Sequence, residues 1–258
     1  MSPKISLIPE PIAHIGGFIV TNSFLTALIV TICLTILSLI ATRHMRFVPR
    51  GLQNFFEMVV EAILGMVEQV LESKEKARQI FPLIATIFLF ILFANWMGIL
   101  PGVGSIGLYE THNGEQEFIP LFRSTNADLN MTVALALISI IAIQALGIFV
   151  LGLRTYLKRF FNFSSPTKLI IGQFELLGEF TKIISFSFRL FGNIFAGEVL
   201  LVVIGFLIPY IIPLPFLFLE IFVGFIQAFI FAVLTLVFYK VAITQEEAEE
   251  PKKESQSS

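Results

Sequence analysis

The chain has 258 residues, 56% of them hydrophobic and 14% charged, with a formal net charge of -2 and a mean hydropathy of +0.87. A water-soluble domain of this length needs far more charged surface, so the class is membrane protein, and the lack of a long basic run excludes nucleic acid as a partner. Cys33 has no mate for a disulfide, and His14, His44 and His112 stand in separate segments without metal-site spacing, so neither a metal nor a cofactor is expected.

The N-terminus has no basic start and no small-residue cleavage site, so the first span is expected to be retained. That span, residues 19–41, is long enough to cross a hydrocarbon layer of about 30 Å, and Arg43, Arg46 and Arg50 follow it, which makes its C-terminal end cytoplasmic. Over residues 50–72 the pattern changes. Glu57, Glu61, Glu68 and Glu72 share a helical face, with Phe56, Val59, Val60, Ile63, Val67 and Val70 elsewhere, which predicts an amphipathic surface helix. Its polar side is acidic, so packing on the interface or on a partner explains it better than attraction to anionic lipid. Lys74, Lys76 and Arg78 precede a second span, 81–100, ended by Pro101 and a glycine-rich stretch. The next loop carries Glu110, Glu115, Glu117 and Asp128 against one arginine, Arg123, as an external loop should. A third span, 131–153, returns to Arg154, Lys158, Arg159 and Lys168.

Residues 167–208 contain no proline, so one helix of about 40 residues and about 60 Å is expected there, with its span over 169–208. That is twice the hydrocarbon thickness, so the helix must tilt or lie partly along the interface. A turn follows at Pro209, Pro213 and Pro215, and a last span, 216–243, comes back inward. The expected fold is an all-α membrane protein: five membrane-crossing helices plus one surface helix, the last two spans forming a long tilted hairpin. Residues 1–248 make a single membrane domain and 249–258 a disordered cytoplasmic tail, with the N-terminus outside.

Arg189 is the residue that most needs an explanation, because an arginine near the bilayer centre costs about 2.5 to 3.5 kcal/mol and usually faces protein or water at a functional site. Snorkelling to an interface is the alternative. At about 100 degrees per residue, Ser185 and Asn193 fall within about 40 degrees of Arg189, whereas Glu198 falls about 180 degrees away and about 13 Å along the axis. On the last span Glu220 and Gln227 share a face and would oppose Glu198 across the hairpin, lining a wet cleft suited to proton relay. A protonated interfacial acid near Pro213 and Pro215 is the simpler reading of Glu220 alone. Glu175, Glu179 and Lys182 share another face; ordinary pairing of Glu179 with Lys182 and a second, cytoplasmic aqueous entrance both remain open.

The run Phe188, Arg189, Leu190, Phe191, Gly192, Asn193, Ile194, Phe195, Ala196, Gly197, Glu198 resembles the signature of subunit a of the F-type ATP synthases, bacterial type. Gln227, Ala228, Phe229, Ile230 and Phe231 resemble that family's last helix, and the similarity extends upstream through Ala127 to Asn130 and Asn95 to Pro101. The resemblance implies a non-catalytic stator subunit in the bacterial inner membrane that carries protons past a rotating c-ring, with peripheral stalk b subunits and the lipid bilayer as its other partners. Sodium in place of protons stays open. Residue by residue, it implies that Arg189 faces the ring carboxylates. Glu198, Glu220 and Gln227 would line the outer half-channel, Asp128 and Asn130 would lie near its entrance, and Glu175 would lie on the cytoplasmic path. Some family members have histidine where this chain has Glu220. A secondary transporter would need inverted repeats, an intramembrane hydrolase a nucleophile with its base, and a mere anchor would leave the intramembrane charges unexplained; the sequence offers none of these.

Overall fold

A computed structural model describes residues 8–43, 48, 50–100, 102–112, 115–160, 165–209 and 211–244. Seven α-helices occur among them: α1 Asn22–Arg43, α2 Leu52–Leu71, α3 Lys74–Ile99, α4 Leu129–Leu151, α5 Leu153–Phe160, α6 Pro166–Leu207 and α7 Pro213–Thr244. Five of these, α1, α3, α4, α6 and α7, are long and apolar enough to cross a membrane, and they match the five expected spans. The expected tail, 249–258, lies outside the described residues, as does Arg46 of the first basic cluster.

The boundaries differ instructively. Helix α3 begins seven residues before the predicted 81, because Ser73 caps its first turn by accepting from the Lys76 N–H at 3.4 Å, and the basic turn and Pro82 are absorbed into one helix. The first span begins at Asn22 rather than 19, because residues 18–21 are a strand. Two antiparallel hairpins stand outside the spanning helices: β1 Pro11–Ile15 with β2 Phe18–Thr21, and β3 Gly107–His112 with β4 Glu115–Pro120. The first turns at Gly16 and Gly17, both at positive φ where a side chain would be strained. Asn22 Nδ2 donates to the Pro120 carbonyl at 3.4 Å, so both hairpins lie at one end of the bundle.

Helix α6 runs unbroken for 42 residues, about 63 Å, with Pro166 in its first turn and no proline after it. Helix α2 buries Ile63, Val67 and Leu71 in a core shared with Ile80 and Ile84 of α3 and Leu236 of α7. The partner of the predicted surface helix is therefore this chain's own bundle. At its C-terminus Lys240 Nζ donates to the Glu72 carboxylate at 2.9 Å. The hydrogen bond and charge of Lys240 hold that carboxyl below its ordinary value of 4.5, so the link is intact at neutral pH and is lost only as acid carries the carboxyl through the lowered value. Phe174, Leu177, Phe180, Ile184 and Phe188 form an exposed apolar stripe along α6, a surface that only lipid or a partner would tolerate.

Candidate functional site: two faces of the long helix

Helix α6 presents its charges on opposite faces, as the helical spacing predicts. On the outer face of the bundle Arg189 is exposed, its Nη2 donates to Ser185 Oγ at 3.2 Å, and Asn193 Nδ2 donates to the Arg189 carbonyl at 2.9 Å. These bonds join the polar stripe of Ser185, Arg189 and Asn193 one turn apart. Leu190 and Ile194, beside them in sequence, are buried at 1% and 3% exposure against α3 and α7.

The opposite face turns Glu198 toward the hairpin end of the bundle. Glu220 of α7, 6% exposed, sets its carboxyl against Gly197, the residue next to Glu198. Gly197 creates the room: a Cβ built there would overlap the Glu220 carboxyl. Gln227 lies two turns along α7 and is half-buried. The structure thus brings Glu220 to the turn of α6 that carries Glu198, and adds a residue that the sequence reading left as a loop charge. Arg123 Nε donates to both Glu198 oxygens, at 3.1 and 3.2 Å, and Nη2 to Oε2 at 3.2 Å. A planar guanidinium engaging both oxygens fixes a carboxylate in direction as well as place.

Below this pair lies a seam of buried amides. Asn126 Nδ2 donates to Asn95 Oδ1 at 2.7 Å, Asn95 Nδ2 to the Gly224 carbonyl at 2.9 Å, and Trp96 Nε1 to the Ile221 carbonyl at 3.1 Å. The seam ties α3 to α7 just where Glu220 is held. Gly98 permits this approach, since a Cβ there would meet Ser124 Cβ, Cα and N at 2.5, 2.9 and 3.0 Å. Backbone cannot move aside as a side-chain tip can. Gly98→Ala is therefore expected to destabilise the subunit by about 1–3 kcal/mol, seen as less intact protein in membranes and a lower melting temperature in detergent.

The other predicted residues lie apart from this pair. Asp128 is buried, and its carboxylate caps α4 by accepting from the Asn130 N–H at 2.9 Å. Glu175 lies about 34 Å from Glu198 along the α6 axis, by helical rise. Near it Lys182 Nζ donates to Glu179 at 2.7 Å and stands 4.6 Å from the centre of the Phe238 ring, so the ordinary pairing is realised.

Five helices long and apolar enough to span, a cation on an exposed face of the longest, and behind it a half-buried Glu198 with a buried Glu220 define a polytopic membrane protein with charge held inside its bundle. Residues 23–240 match the family model described as ATP synthase A chain. Three similar proteins are each named ATP synthase subunit a. That of Syntrophobacter fumaroxidans is 35% identical over 91% of this chain and 90% of its own length. That of Campylobacter jejuni, strain 81-176, is 36% identical over 85% and 88%, and that of Moorella thermoacetica 33% over 89% and 94%. The chain belongs to the ATP synthase subunit a family, a component of the membrane sector.

Proposed function

We propose that this chain is the stator of a rotary proton path, non-catalytic itself, with two offset half-channels that exchange protons with the carboxylates of a rotating c-ring and so couple proton flow to ATP synthesis. Arg189, with Asn193 beside it, faces the ring; Glu198, Glu220 and Gln227 line the outer half-channel, with Asp128 at its mouth; Glu175 belongs to the cytoplasmic path. Peripheral stalk b subunits hold the chain still in a bacterial inner membrane, its N-terminus outside and its C-terminus cytoplasmic. Protons are the ion, and sodium is the variant that the same acid pair could serve.

The observation that carries this reading is the division of α6: a cation on its exposed face and a carboxylate behind it. A ring carboxylate facing lipid must be neutral, because an ionised one there is heavily penalised. A fixed cation favours the ionised form of a carboxylate that passes it, so each ring carboxyl releases its proton at Arg189 and is reprotonated only from the other half-channel. The same cation bars a direct leak between the channels. One charge crossing 100 mV yields about 2.3 kcal/mol, so several steps must be summed, which rotation does.

Disulfide trapping tests which face meets the ring. In a Cys33→Ser background, Asn193→Cys is expected to cross-link to a cysteine placed beside the ring carboxylate, and Ile194→Cys is not. Efficient trapping at Ile194 with none at Asn193 would overturn the orientation.

A further inference from the structure

Arg123 lies within the stretch matched by the family model but outside the short runs that carry the resemblance in the sequence, and the fold brings it onto Glu198. We propose that Arg123 is a positioning residue of the outer proton path: it clamps Glu198 as the fixed carboxylate of the pair, leaving Glu220 as the carboxyl that takes up and passes on the proton.

The clamp is anchored from several elements. The Arg123 backbone N–H donates to Thr26 Oγ1 of α1 at 3.3 Å, Nη1 donates to the Ile8 carbonyl at 3.3 Å, and the Nε and Nη2 edge goes to Glu198. The guanidinium is 8% exposed, and a charge so buried persists only when its partner is a charge of opposite sign. The partner is 75 residues away and on another element, so the contact is made by the fold and not by local sequence. Glu198 faces Glu220 from α7 and Glu10 from the N-terminal segment, both acidic, while Asp128 is engaged at the start of α4 and Arg189 lies on the far face of α6. Arg123 thus sets the charge balance of a site that otherwise gathers three carboxyls. Without it the Glu198 and Glu220 carboxyls would share a proton and titrate as a pair, holding it more tightly than the path requires.

This inference rests on the outer half-channel proposed above, and the test separates the two. ATP synthesis by the assembled enzyme in membrane vesicles is measured at fixed potential while the pH on the periplasmic-side face is varied. Arg123→Gln is expected to lower the rate per assembled complex and to move the outer-side pH profile by about one unit to the alkaline side. Arg123→Lys keeps the cation and should restore the profile toward native while leaving the rate reduced, because an ammonium cannot grip both oxygens. A native profile in Arg123→Gln overturns the proposal, and so does a native rate in Arg123→Lys should the glutamine variant fail to assemble. Proton pumping that survives Arg189→Ala would instead remove the half-channel reading itself, whatever Arg123 does.

Discussion

Gly197→Ala is expected to cut proton translocation by at least about tenfold while leaving the subunit folded. The added methyl would meet Oε1, Oε2 and Cδ of Glu220, the tip of a flexible side chain, so the carboxyl can swing aside and the backbone need not move. Alanine is also the better helix former, by about 0.5–1 kcal/mol. Stability is therefore kept and geometry is lost, because Glu220 can no longer stand beside Glu198. A misplacement of about 1 Å can cost on the order of 100-fold in a transfer that depends on alignment. ATP-driven dye quenching in inverted vesicles, normalised to assembled enzyme, should fall by at least about tenfold. Gly205→Ala, whose Cβ would enter open space, should pump normally. Native pumping by Gly197→Ala would mean that Glu220 has no part in the path. The contrast with Gly98 is physical: there the neighbour is backbone, and stability rather than transport is the casualty.

The spanning helices were legible because a bilayer makes hydrophobicity itself the signal, and proline-free length alone foretold the single helix α6. The two faces of α6 were also legible, since helical spacing fixes angles without reference to any neighbour. The approach of Glu220 to the turn of α6 that carries Glu198 followed from the hairpin between α6 and α7. Arg123 did not follow. Its only sequence trace was that of a lone cation in an acidic loop, and nothing local directs such a residue to a carboxylate 75 positions on. The amide seam was hidden for the same reason: Asn95 meets Gly224 across 129 positions. Residues 19–21 of strand β2 were read into the first span because Ile19 and Val20 are apolar in either state, although the Gly16 and Gly17 pair marked the turn. The early start of α3 was signalled by the Ser73 cap, which hydropathy does not weigh.

Arg189→Ala is expected to abolish coupled transport altogether. Alanine suits the helix, and among the described residues the Arg189 side chain bonds to Ser185 one turn away, so assembly should be spared. What is lost is the cation at the rotor face. A ring carboxyl then passes the stator without being driven to release its proton, and the barrier between the half-channels goes with it. Arg189→Lys should recover only part of the function, since an ammonium is a compact, more strongly hydrated charge on a flexible stem. The decisive measurement uses vesicles containing the assembled enzyme, read twice: acidification on adding ATP, and passive proton flow under an imposed potential with no nucleotide. The account predicts that Arg189→Ala loses the first and keeps or increases the second; normal ATP-driven acidification by that variant would contradict it.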